Sequence, residues 1–107
     1  MNEPISLVYI TTKDKGESQK IAKVLLESRL VACANIFDSV ESMYWWEDKI
    51  QVEKESVLMT KTRQSLVPQV MEKVRSIHSY EVPCIVSLPL EEVSPDFAAW
   101  ILNETTS

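Results

Sequence analysis

Residues with chemical potential are few in this sequence: a single histidine, two cysteines, and carboxylates and tyrosines near them. His78 closes a helical stretch and is followed by Tyr80 and Glu81. A helix C-terminus favours imidazolium by typically ~0.3–1 kcal/mol. A ring so placed suits a metal ligand or a proton carrier, with Glu81 orienting it. It equally suits a histidine that only hydrogen-bonds a nearby carbonyl. Cys33 and Cys84 each lie in an apolar stretch, where a free thiol packs as a small hydrophobe. Were their strands adjacent, the two sulfurs could take a soft ion such as Cu(I). No C-x-x-C or C-x-x-H spacing accompanies them. Glu47 and Asp48 fit a solvated turn or a site for a hard cation. Neither a G-x-S-x-G elbow nor a short-range nucleophile–base pair occurs. From the residues alone, no active site emerges.

The composition narrows the function further. The chain has 107 residues and one glycine, Gly16, where average usage of roughly 7% predicts about seven. Dinucleotide fingerprints, P-loops and glycine-rich kinase loops all need several glycines for backbone to approach phosphate, so none can be built. Eleven Lys and Arg stand against sixteen Asp and Glu, a net charge of −5. An acidic chain without a basic cluster does not suit nucleic acid. The longest apolar run, Leu30 to Ala34, is far short of the ~20 residues that span a bilayer, and no apolar leader opens the sequence. The expectation is one domain over residues 1–107, soluble and cytoplasmic, with reduced thiols and no membrane contact.

Hydropathy patterning supplies the elements that must position these residues. Ile5 to Thr11 reads as a buried first strand. Asp14, three residues before Glu17, is a capping-box signature that opens a helix. Its apolar stripe runs Ile21, Val24, Leu25, Ser28 and Val31. Leu30 to Phe37 leads into a second strand. Thr62 and Ser65 are candidate caps for a second helix, with Pro68 in its first turn and Leu66, Val67, Val70, Met71, Val74 and Ile77 inside. Val82 to Leu90 reads as another strand, with Pro83 and Pro89 marking an edge or its ends. Ser94-Pro95 opens a short last helix with Phe97, Trp100 and Ile101 inside. The order β-α-β-β-α-β-α predicts an α+β, ferredoxin-like split βαβ sandwich with both long helices on one sheet face.

Between Ser39 and Lys61 the pattern is that of a long hairpin, whose sole reversal lies at Glu47-Asp48-Lys49. Arms of eight to twelve residues at ~3.3 Å each extend roughly 26–40 Å, beyond a domain of this size. A two-residue loop pairs Trp45 with Ile50 and Met43 with Val52; a three-residue loop pairs Trp46 with Ile50. Both registers remain open. In either, Met43, Tyr44, Trp45 and Trp46 alternate in direction and place large apolar surface on both faces. Burial against a second copy explains such an arm better than solvent does.

Specific blocks then resemble a known family. Ala32-Cys33-Ala34-Asn35-Ile36, Ser42-Met43-Tyr44-Trp45-Trp46, Lys61-Thr62, His78-Ser79-Tyr80-Glu81-Val82-Pro83 and Trp100-Ile101 occur in the order found in the CutA family, over about Ile5 to Leu102. The resemblance implies a homotrimer of ferredoxin-like subunits with interlocking hairpins around Met43, Tyr44, Trp45 and Trp46. It further implies involvement in tolerance of divalent metal ions, copper above all, without catalysis and without a required cofactor. Cys33 and the His78, Tyr80 and Glu81 block match family positions, so His78, Cys33 and Glu81 are the candidate metal ligands. A PII-like sensor of a small ligand, or a trimeric interaction protein, is the alternative. Ser79 replaces the family's usual proline, and Asp48 stands where a turn glycine is common. Heat resistance is expected of an interlocked assembly, because its folding is linked to association.

Overall fold

Alternating apolar residues along Ile5–Thr12 build the first strand, β1, and the computed structural model describes residues 3–106 around it. Positions 1, 2 and 107 of the expected single domain lie outside the described residues. The elements that follow are α1 (Lys15–Glu27), β2 (Cys33–Trp46), β3 (Lys49–Arg63), α2 (Val67–Ile77), β4 (Ile85–Pro89) and α3 (Pro95–Glu104). The strands form one antiparallel sheet in the order β2-β3-β1-β4. This is the split βαβ arrangement read from the sequence, with β4 at an edge and Pro89 at its end, so both readings of that proline hold.

The sheet has two unlike faces. Val8, Ile10 and Leu58 point to one side and join Ile21, Leu25, Val70 and Val74 of the long helices in the main core. On the other side only one end is covered, where α3 lays Ala98 and Ile101 over Ile5. Beyond that end Phe37, Val86 and Leu88 are about half exposed. Arg63 fixes α3 in place. Its guanidinium donates to Thr105 Oγ1 (3.0 Å) and to the carbonyls of Leu102 and Thr105, and pairs with Glu3 at 3.1 Å. Among the described residues, no helix is long and apolar enough to cross a membrane.

Several local expectations are corrected by longer-range bonding. Helix α1 stops at Glu27, so Ser28 and Val31 leave its stripe; Arg29 turns left-handed (φ 61°), sending the Leu30 amide back to Leu25 O. Asp14 does cap α1, accepting the Glu17 amide at 2.9 Å, but Glu17 answers to the Lys13 amide at 3.0 Å. Thr62 and Ser65 do not cap α2. The Thr62 hydroxyl donates to Leu30 O at 2.6 Å, and a 3-10 turn at Gln64–Leu66 leads into the helix. Strand β4 begins only at Ile85, since Pro83 has no amide to pair. Phe97 and Trp100 do not enter the core: they stack on each other at 5.6 Å, 38% and 42% exposed.

The hairpin adopts the two-residue loop, with Trp45 opposite Ile50 and Met43 opposite Val52. Glu47 (φ 52°) and Asp48 (φ 63°) both occupy the left-handed region that such a turn demands and that glycine and asparagine favour. Between Phe37 and Val40, β2 carries one extra residue. The Ser56 hydroxyl closes this bulge, donating to Phe37 O at 3.1 Å. Since side chains alternate with period two, one added residue transfers the rest of the strand to the opposite face. Tyr44 and Trp46 thereby share the open sheet face with Glu53 and Glu55, while Met43 and Trp45 join Ile50 and Val52 on the other. The arms carry the molecule to 48 Å in its long dimension, against 26 and 22 Å in the others.

Candidate functional site

The site begins where α2 ends. His78 caps that helix, and its side chain is fully buried. Its Nε2 lies 2.8 Å from Thr11 O, a pure acceptor, while Nδ1 accepts the Tyr80 amide at 3.0 Å. These partners select the neutral tautomer with the proton on Nε2. The carboxylate beside the ring is Glu17, with Oε2 at 3.8 Å from Nδ1, and not Glu81 as expected. Glu17 Oε2 accepts the Ser79 amide at 2.7 Å. Burial pushes the Glu17 carboxyl up, but the Lys13 and Ser79 amides outweigh it and leave the group below the usual carboxylate value of 4.5. His78 and Glu17 thus hold the backbone of 78–80 from both sides.

That latch aims Tyr80. Its ring packs at 4.8 Å from the imidazole, and its hydroxyl donates to Glu55 Oε2 at 2.7 Å. Burial, then the bond to Glu55, raise the phenol well above its ordinary 10.0. Glu55 itself is only 7% exposed. One strand over, Tyr44 donates to Glu53 Oε1, and that bond lifts its phenol to about 12. Tyr9, Trp46 and Cys84 are among the other residues lining an open cleft of about 630 Å³, with Glu81 also on its wall and no lysine, arginine or histidine among the described residues lining it. Both phenols stay protonated through neutral pH and act as hydrogen-bond donors that hold the two glutamates in place.

The expected metal ligands do not converge within one chain. Cys33 pairs with Lys61 on the β2 edge of the sheet, partly exposed. His78 meets Thr11, which pairs with Val57, so the two lie four residues apart along β3, roughly 13 Å. Cys84 precedes β4 at the opposite edge from Cys33, so the adjacency that would join their sulfurs is not met. Both nitrogens of His78 are engaged. Among the described residues, no group of three or more His, Cys, Asp or Glu side chains is placed to hold a metal ion. Tyr44 and Trp46 do come together at the cleft, which Trp45 and Met43 also border, although these two stand on the opposite face of the hairpin.

Sequence reasoning passed over Glu17 and Glu55. A signal for Glu55 was present: Glu53-x-Glu55 places two acids on one face of a strand. Nothing local marked Glu17 beyond its place in the cap.

The family described as CutA1 divalent ion tolerance protein matches residues 6–104. The divalent-cation tolerance protein CutA of Pyrococcus horikoshii is 37% identical over 92% of this chain and 96% of its own length. The rice chloroplastic protein CutA 1 is 36% identical over 95% of this chain; the matching region is 58% of its length. The crystal structure of divalent ion tolerance protein CutA1 from Ehrlichia chaffeensis superposes with a TM-score of 0.93, at 35% identity, covering 98% of both chains.

Proposed function

We propose, for a chain that belongs to the CutA1 divalent ion tolerance family, a non-catalytic role in the response to divalent cations, carried out as a cytoplasmic homotrimer. One observation supports the assembly above all. The hairpin leaves Met43 67%, Trp45 72%, Ile50 58% and Val52 54% exposed on one face of an isolated chain, and Trp46 45% on the other. Water does not keep such a surface uncovered. The isolated chain exposes 6923 Å², against roughly 6,100 Å² for a compact protein of this mass. The excess lies in the projecting arms, and a second and third copy would cover them.

Cation binding fits the same assembly. Cys33 and Glu81 are accessible but lie apart on one chain, so a shared site draws ligands from more than one protomer. His78 joins such a set only by giving up the Tyr80 amide at Nδ1. Thiolate and imidazole select copper or zinc over magnesium or calcium. Calorimetric titration of the purified assembly with copper tests this reading, with light scattering to fix its mass. A three-chain particle whose copper affinity falls about tenfold or more in Cys33→Ser or Glu81→Gln supports it. A folded monomer, or a titration that none of the substitutions Cys33→Ser, Glu81→Gln and His78→Gln alters, overturns it.

A further inference from the structure

Three hydroxyls meet where β1, α1 and β3 converge. Thr12 and Ser56 pair across β1 and β3, and Ser18 reaches them from the first turn of α1. All three residues are fully buried. Their oxygens form one chain of contacts. Thr12 Oγ1 lies 2.9 Å from Asp14 O and 2.7 Å from Ser18 Oγ. Ser56 Oγ lies 2.9 Å from Ser18 Oγ and 3.1 Å from Phe37 O. One end of the chain is the turn that caps α1; the other is the bulge of β2.

The protons do not suffice for this chain. A hydroxyl has a single proton to give, and a carbonyl oxygen only accepts. Three protons therefore serve four contacts, and one contact is empty in every arrangement. An empty contact inside the chain sets two buried oxygens lone pair to lone pair with no water between them, which is the costly choice. Donors that all point one way are favoured instead, since each bond strengthens the next. The gap then falls at an end. With the protons directed toward β2, Ser56 holds Phe37 O and Thr12 lets Asp14 O go; that carbonyl keeps the Ser18 amide at 3.2 Å. With the protons directed toward α1, Thr12 holds Asp14 O and the bulge carbonyl is released.

We infer that the hydroxyls of Thr12, Ser18 and Ser56 are a two-state coupling between the first turn of α1 and the bulge of β2, in which either end is bonded at the expense of the other. The same turn carries Glu17, which holds the 78–80 backbone through the Ser79 amide. The bulge decides which face of the hairpin Tyr44 and Trp46 occupy. A shift at one of these places is felt at the other, and reciprocally. The coupling lies within one protomer and rests on neither cation binding nor assembly.

Hydrogen exchange of the native protein, read by mass spectrometry over residues 36–41, tests it. Ser18→Ala leaves Thr12 and Ser56 one proton and one carbonyl each, so the competition ends and the bulge stays closed. Thr12→Val leaves Ser18 and Ser56 to point toward Phe37 O, with the same result. In both variants exchange at 36–41 should slow about fivefold, the worth of one hydrogen bond, while the strands around Val8 and Leu58 keep their wild-type rates. Loss of a buried hydroxyl with a merely structural role would quicken exchange instead. Ser56→Ala should speed exchange at the bulge, and adding Ser18→Ala to it should change nothing further there. Unchanged or faster exchange at 36–41 in Ser18→Ala or in Thr12→Val overturns the inference, as does a slowing that survives without the Ser56 hydroxyl. Failure of both variants to fold overturns it too, since the bonds removed would then be needed and not surplus.

Discussion

At the scale of single residues, the buried pair Glu17 and His78 governs the geometry of the cleft without facing it. Glu17 takes two amides, from Lys13 and Ser79, and those bonds hold its pKa below the usual carboxylate value despite burial. A carboxyl whose folded value lies below 4.5 stabilises the fold fully above that pH. The contribution fades as pH falls from 4.5 through the folded value, because the unfolded chain takes up the proton first. Glu3, held down chiefly by its bond to Ser65, acts in the same window. Thermal melts in acid should therefore show stability falling below pH 4.5, with Glu17→Gln flattening part of that slope. At neutral pH the same substitution should cost about 2 kcal/mol, the scale of hydrogen bonds to a charged group. An unchanged acid profile in the variant would remove Glu17 from this role.

Among the elements, the hairpin is where local preference and structure disagree most. Its turn places Glu47 and Asp48 in the left-handed region, which costs an ordinary residue ~1–2 kcal/mol. Arg29 is strained in the same way at the end of α1, where its side chain gains an ion pair with Glu104 at 2.7 Å. The only glycine, Gly16, is used at none of these positions. Asp48→Gly should accordingly stabilise the fold by about 1 kcal/mol, read as a higher denaturant midpoint with an unchanged slope. No such gain is expected at Arg29, where glycine relieves the backbone but loses Glu104. The bulge in β2 matters more for function. Had β2 kept all its residues and run on in the Phe37 register without a bulge, Met43 and Trp45 would stand on the face of Glu53, and Tyr44 would face away from it.

For the whole molecule, the question is what covers the sheet and hairpin. The helix layer closes one sheet face and α3 closes one end of the other, leaving Phe37, Val86 and Leu88 with the arms. The proposed association through this surface would couple folding to assembly, so the melting temperature should rise with protein concentration and lie above the ~45–65 °C of ordinary domains. A lysine in place of Trp45 together with one in place of Val52 should break the assembly and lower the melting temperature. Both side chains are exposed on the single chain and contribute little to its own core. If the double variant kept the wild-type mass in light scattering, the hairpin would not be the interface.

The element order, the ferredoxin-like sheet, the family and the long two-faced hairpin are all legible along the chain. Each rests on short-range information: periodicity of 3.6 or 2 along Ile21 to Leu25 or Ile5 to Thr11, caps such as Asp14, and blocks such as His78 to Pro83. The features that had to wait for the folded molecule lie across long separations. The hairpin register is one case, since both loop lengths suit the apolar pattern equally and backbone pairing alone chooses between them. The bulge at Phe37 is another, sealed by Ser56 from the facing strand. The tautomer of His78 depends on Thr11, and the burial of Glu55 on the ring of Tyr80. Hydrogen-bond partners and desolvation are properties of packed neighbours, and no local pattern along the chain carries them.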